Sequence, residues 1–137
     1  MNKEKQEKII NFFKMDRFAA VNGMKLVEVD YGYARAEMRL TENHLNAANL
    51  IQGGALFTLA DLALAAACNS HGQLAITLNS TISFLKGTKG KIITAVAREI
   101  TEPKRISYGS VEIRDEDGNL IAEFSGTVYR KDISNPF

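Results

Sequence analysis

The sequence predicts an α+β domain in which an antiparallel sheet wraps around one long apolar helix. Three observations carry this expectation. Residues 53–71 form the only long hydrophobic helical stretch, stretches of alternating apolar and polar residues lie on both sides of it, and Gly32, Gly87 to Gly90 and Asp117-Gly118 supply turns between them. A sheet with one apolar face must be covered, and this helix is the available cover. The 137 residues are enough to bury one core, and no repeat, low-complexity tract or proline-rich linker divides them. A single domain over 1–137 is expected, with an N-terminal helical segment over 1–22.

From the N-terminus, residues 3–15 group Ile9, Ile10, Phe12 and Phe13 against Lys and Glu as an amphipathic helix does. Phe18 to Val21 adds a short turn before Asn22-Gly23 breaks it, and the whole segment is expected to pack on the body as a lid or clasp. Met24 to Val29 and Tyr33 to Leu40 make a first hairpin through Gly32, with Ala34, Ala36, Met38 and Leu40 on one face and Arg35, Glu37 and Arg39 on the other. The central helix follows. Beyond it, Leu74 to Leu85 alternates Ile76, Leu78, Ile82 and Phe84 against Thr77, Asn79, Thr81 and Ser83. Ile92 to Ile100 and Ile106 to Arg114 flank Glu102-Pro103-Lys104, and Asp117-Gly118 leads into Leu120 to Tyr129 as a last hairpin. Because the helix is apolar on nearly all sides, one sheet covers only part of it. A second protomer is the expected cover for the rest.

Composition narrows the function classes. With a formal net charge of +1, 45% hydrophobic and 24% charged residues, the chain has no electrostatic footprint for nucleic acid or a membrane surface. The lone Cys68 cannot form an internal disulfide, Met1 to Lys8 is too charged to lead into a secretory core, and the longest apolar run is broken by Asp61. A cytoplasmic protein with no membrane partner is expected. Cys68 reads as a small core residue. His44 and His71 have neither metal-ligand spacing nor a triad pattern, so no metal or bound cofactor is expected. The run Asp115-Glu116-Asp117 reads as a hairpin turn, because Asp117-Gly118 explains it locally.

Asp61 stands in Gln52-Gly53-Gly54-Ala55-Leu56-Phe57-Thr58-Leu59-Ala60-Asp61-Leu62-Ala63-Leu64, a stretch otherwise apolar enough to be buried. A lone carboxylate there is costly to desolvate, so it either has a partner or does chemistry. The segments Asn46-Ala47-Ala48-Asn49-Leu50-Ile51-Gln52-Gly53-Gly54, Leu56 to Asp61 and Ala67-Cys68-Asn69-Ser70 together resemble the signature of the phenylacetic-acid-degradation (PaaI-like) hotdog thioesterases. Thr81-Ile82-Ser83-Phe84-Leu85, the Asp117-Gly118 turn and Gly126-Thr127-Val128-Tyr129 are similar to that family's downstream strands, so the likeness runs from roughly Gly23 to Lys131. The resemblance implies a hotdog fold and hydrolysis of acyl-CoA thioesters at a dimer interface. It makes Asp61 the general base or nucleophile and Gly53 the backbone donor that polarises the carbonyl. Asn46 resembles the side chain that helps hold the carbonyl or the water, and Thr77 resembles a Ser or Thr that orients the water. The residue before the two glycines is usually His in this family and is Gln52 here, which leaves hydrogen-bonding support of the loop and substrate, together with Gly54, as its expected part.

Physical reasoning runs alongside that carry-over. A helix N-terminus offers unpaired N–H groups and a partial positive charge, and a glycine there lets its amide approach a developing oxyanion. Asp61 lies eight residues further on, roughly 12 Å along the axis at 1.5 Å per residue, too far for both groups to act on one carbonyl within one chain. Antiparallel helices across a two-fold axis would bring Asp61 of one protomer to Gly53 of the other, giving two composite sites per dimer. Phe57, Leu64, Phe12 and Phe13 are the expected apolar contacts of the acyl group, and Lys86, Lys89, Lys91, Lys104 and Arg105, clustered around strand ends, could meet the phosphates of coenzyme A. The plainer readings stay open: Asp61 bonded to amides or a hydroxyl, Gly53-Gly54 as an ordinary helix start, Asn46 and Asn49 as loop residues, Thr77 as strand surface, the lysines as solvated charge. The expected function is hydrolysis of a medium-chain or aryl acyl-CoA by a homodimer, extended to a homotetramer. Its competitors are a noncatalytic acyl-CoA-binding protein and, last, a hydratase, which would want a His on the helix beside a carboxylate.

Overall fold

In the computed structural model, which describes residues 1–137, the chain starts with two capped helices. The Asn2 side chain accepts the Lys5 amide at 2.8 Å to open α1 (Lys3–Phe13), and Asp16 accepts the Ala19 amide at 3.1 Å to open α2 (Arg17–Val21). The chain then turns at Gly23, whose φ of 70° suits a residue without Cβ. Strands β1 (Met24–Asp30) and β2 (Tyr33–Arg39) form the expected hairpin, a 3-10 turn (Glu42–His44) follows, and α3 spans Gly53–Asn69. Four strands complete the fold: β3 (Gln73–Phe84), β4 (Ile92–Glu99), β5 (Ile106–Asp115) and β6 (Leu120–Ser134).

All pairings are antiparallel, and the spatial order is β1-β2-β4-β5-β6-β3. α3 lies in the concave side of this sheet. Small residues explain how closely it can lie: Ala34 pairs with Ala97 and Ala36 with Ala95, all fully buried, opposite a helix that contributes Ala60, Ala63, Ala66 and Ala67. Leu64 then wedges between β5 and β6, where a Cβ on Gly126 would come within 2.8 Å of its Cδ2 and one on Gly109 would collide with its Cδ1.

The expected single apolar row on β3 does not survive. Thr77 pairs with Val128 and Asn79 with Thr127, so β3 takes two steps where β6 takes one, and the extra residue is Leu78. Such a bulge exchanges the two faces of the strand. Before it, Ala75 and Thr77 sit opposite the buried parity of β6; after it, Ser80, Ile82 and Phe84 do, while Ile76 and Leu78 are left exposed.

The N-terminal segment is part of the body. Ile9 has no exposed surface, Gln6 Nε2 donates to the Val29 carbonyl, and the Met1 ammonium pairs with Asp30 at 3.0 Å. Phe12 and Phe13 make their ring contacts with each other and with Phe137, at 5.0 Å and 6.3 Å respectively from the latter. They clasp the two chain ends together rather than lining a pocket on α3. No helix is long and apolar enough to cross a membrane.

Candidate active site

Along α3 one stripe remains less covered than the rest: Gly54, then Phe57 and Thr58, then Asp61 and Ala65, successive turns of one helix face. It borders residues of both edge strands of the sheet, Met24 of β1 across a hollow and Thr77 of β3. Asp61 therefore lies at the boundary of the core, half-buried, with Thr77 beside it. The Thr77 hydroxyl donates to Asp61 Oδ1 at 3.4 Å, a long bond, and the bulge one residue later is what ends this run of inward positions on β3. Burial pushes the Asp61 carboxyl above its ordinary range; the Thr77 bond opposes this, and the negative charge of Asp16, at the start of α2, adds to it. Asp61 and Thr77, both singled out by the family resemblance, thus lie side by side, with the carboxylate held as a stronger base than a free one.

Gly53 is the first residue of α3. Gln52 occupies the N-cap without a side-chain cap bond, its carbonyl accepts the Ala55 amide at 2.9 Å, and the amides of Gly53 and Gly54 donate to nothing within the chain. These are the free donors of a helix start, reinforced by the helix dipole. Gly53 borders a cleft of about 530 Å³ whose walls include Asn46, Gln52, Leu56, Phe84 and Lys86. The absence of a side chain at Gly53 has a steric reason as well, since a Cβ there would lie 2.7 Å from Cζ of the Phe84 ring. On the other side of Gln52 a second hollow, about 350 Å³, is bordered by Phe18, Met24, His44, Phe57 and Thr58.

Asn46 is largely a builder of the loop. Its Oδ1 accepts the amides of Ala48 at 2.9 Å and Leu50 at 3.1 Å, and Asn49 closes the turn at φ 58°. That leaves the Asn46 Nδ2 group as the part of the side chain able to donate into the cleft it lines. His44 holds the same loop from below: its Nδ1 accepts the Thr41 amide at 2.9 Å, and Nε2 meets the Asn22 carbonyl at 2.6 Å, which makes Nε2–H the protonated tautomer.

The other expected site residues separate. Phe57 lies on the open stripe, its ring edge-on to Phe124 at 5.1 Å. Lys86 borders the Gly53 cleft, whereas Lys89 borders the adjoining hollow near Leu40 and Asn49. Leu64 lines neither; fully buried against Gly109 and Gly126, it is core, because its position on α3 points into the sheet. Cys68 is buried too, its thiol pushed up to about 12 by desolvation first and then by Glu99. No group of three or more His, Cys, Asp or Glu converges as metal ligands would.

Two polar networks escaped the sequence reading. At the C-terminal end of α3, buried Arg130 donates to the Cys68 carbonyl at 2.8 Å and to Glu99 Oε1 at 2.9 Å, and Glu99 Oε2 meets His71 Nε2 at 2.8 Å. Strand parity carried the signal for it, since Ala122, Phe124, Gly126 and Val128 all face inward and Arg130 is the next in that series. The second network gathers on Asp115, which accepts from Thr88 Oγ1 at 2.6 Å and from the Asp117 and Asn119 amides at 3.0 Å each.

Comparison with known proteins agrees with this arrangement. A family model described as the thioesterase superfamily matches residues 48–122, from the Gly53 loop through α3 to β6. The acyl-coenzyme A thioesterase PaaI of Escherichia coli is 34% identical over 119 residues, which cover 86% of this chain and 85% of that protein. Human acyl-coenzyme A thioesterase 13 is 28% identical over 128 residues, 90% of this chain and 91% of its own length. In three dimensions, the E. coli PaaI protein from the phenylacetic acid degradation operon superposes with a TM-score of 0.89 at 30% identity, covering 96% of each chain. The sheet order and the enclosed helix are those of the hotdog fold.

Proposed function

The chain belongs to the thioesterase superfamily, as a PaaI-like hotdog thioester hydrolase, and on that premise we propose that it cleaves medium-chain or aryl acyl-CoA at sites shared by two protomers. The observation that carries the reading is the pairing of Asp61, on the less covered stripe of α3, with Thr77 of β3, about half the length of the helix away from the free Gly53 amide. In the proposed site, Gly53 N–H and the Asn46 amide of one protomer hold the thioester oxygen. The partner's Asp61 takes a proton from a water that Thr77 helps to orient, and the water oxygen attacks the carbonyl carbon. The tetrahedral intermediate collapses by breaking the C–S bond; the thiolate of coenzyme A leaves and receives the proton, and the free acid is released. No cofactor or metal takes part in this scheme.

The shared site is supported by distance. Gly53 and Asp61 are separated by roughly 12 Å of helix, whereas reacting groups must come within about 3–3.5 Å of their atoms. A homodimer with antiparallel α3 helices removes the mismatch and covers the open stripe; a homotetramer of two such dimers is the assembly we propose. Gln52 is proposed as loop support and substrate contact, between the Gly53 cleft and the hollow bordered by Phe57 and Phe18, the proposed acyl pocket. Gly54 flanks that pocket, and Lys86 and Lys89 lie toward the coenzyme end.

A panel of acetyl-, hexanoyl-, phenylacetyl- and palmitoyl-CoA, followed by free-thiol release, tests the reading. The expected result is highest kcat/KM for hexanoyl- or phenylacetyl-CoA and a loss of at least about 10²-fold in Asp61→Asn. Binding without thiol release would instead support a noncatalytic acyl-CoA-binding protein.

A further inference from the structure

The loop from Leu85 to Lys91 carries Lys86 to the Gly53 cleft, yet it has no helix or strand structure of its own. A segment with Gly87 and Gly90 and no regular hydrogen bonding holds one shape only if something outside it supplies the bonds. Here the β5–β6 hairpin, from the end of β5 through the turn to the start of β6, supplies them. The Leu85 and Lys86 amides donate to the Ile121 carbonyl at 2.9 and 3.2 Å, the Lys91 amide donates to Glu116 Oε1 at 2.7 Å, and Thr88 Oγ1 donates to Asp115 Oδ2 at 2.6 Å while accepting the Gly90 amide at 2.9 Å.

Asp115 also sets the end of Lys86. Asn119 Nδ2 donates to both Asp115 oxygens, at 3.2 and 3.1 Å, which turns its amide so that Oδ1 faces outward; Lys86 Nζ donates to that oxygen at 3.1 Å. The ammonium is therefore located by a neutral acceptor, and its charge is left uncompensated for an anion in the cleft. The carboxylate itself is buried and spent on inward donors, of which Thr88 is the foremost in holding the Asp115 carboxyl below its ordinary range.

We propose that Asp115 is a positioning residue for the phosphate-bearing end of the substrate, acting through Thr88 and Asn119 to hold the 85–91 loop and the Lys86 ammonium at the rim of the Gly53 cleft. The inference rests on the acyl-CoA reading of that cleft and adds to it the element that orders the nucleotide contact. The acidic turn that explains itself locally as a hairpin is, on this view, the scaffold of a binding loop.

The test compares binding of free coenzyme A with binding of pantetheine, which lacks the phosphates, by titration calorimetry on the wild type and on Asn119→Ala, Asp115→Asn, Lys86→Met and Lys86→Met/Asn119→Ala. Asn119→Ala and Asp115→Asn should weaken coenzyme A about five-fold and pantetheine by less than about two-fold, with the difference shrinking as salt rises. The double variant should bind coenzyme A no more weakly than Lys86→Met alone, since both changes break one contact chain. Equal weakening of both ligands, additive losses in the double variant, or no loss for coenzyme A in Asn119→Ala would each overturn the proposal. Asn119→Ala keeps the Asp115 turn and guards against misfolding as the cause. If the binding pattern holds while acyl-CoA is not hydrolysed, the positioning role stands and the proposed chemistry falls.

Discussion

If each site takes Gly53 from one protomer and Asp61 from the other, two dead variants can make a living enzyme. The perturbations are Asp61→Asn, which removes the base, and Gly53→Val, whose Cβ would lie 2.7 Å from the Phe84 ring where the thioester oxygen is to bind. Each homodimer then has two defective sites. In a mixed dimer both defects fall in one site, and the other combines an intact Gly53 with an intact Asp61. Random exchange of equal amounts makes about half of the dimers mixed, each with one of two sites working, so activity per protomer should recover to about a quarter of wild type under two-fold symmetry. Against parents reduced about 10²-fold, that is a rise of about 25-fold. The assay is thiol release after exchange, with differently tagged subunits to count mixed dimers. Activity that stays at the parental level in verified mixed dimers would refute the shared site, because a site within one chain is broken in every protomer of that mixture.

Other outcomes follow from the same contacts. The Thr77 bond lowers the Asp61 carboxyl, so Thr77→Val should move the acidic limb of the kcat–pH profile to higher pH as well as slow turnover; an unmoved limb would separate Thr77 from Asp61. Because folding raises the Asp61 carboxyl, the folded state holds its proton longer than the unfolded chain. Its contribution to stability is then greatest below the unfolded carboxyl range and falls as pH rises through the folded one, so Asp61→Asn should be more stable than wild type at neutral pH in a urea titration, with the gain vanishing in acid. Arg130→Met should cost about 3–5 kcal/mol in the same measurement, since the buried Glu99 carboxylate and the Cys68 carbonyl both lose a donor.

The fold was legible because its signals are local. The Ala34-Ala36-Met38 row, the Gly32 turn, the Asp117-Gly118 hairpin and the apolar run of α3 each report their element through side-chain period or a backbone requirement at a few neighbouring residues. Asp61 was legible for a related reason, since one carboxylate in an apolar run is conspicuous without knowing what faces it. Its neighbour Thr77 was reached only through resemblance. Strand alternation had set Thr77 in a polar row apart from the apolar one, and the bulge at Leu78, which divides that pattern, depends on how β3 registers against β6 rather than on any residue in β3 alone.

By itself, then, the sequence determined the element order, the apolar helix at the centre, the free amide at Gly53 and the charged residue on α3. Only the tertiary structure decided which side chains these elements bring together. Leu64 and Phe57 look alike along the helix, but their angular positions send one into the notch left by Gly109 and Gly126 and the other to the open stripe. Arg130, Glu99 and His71, and likewise Asp115, Thr88 and Asn119, are joined across strands and loops far apart in the chain. Periodicity records which face a residue occupies. Partnership depends on register and strand order, which arise only when the sheet closes around its helix and every buried polar group must find a bond.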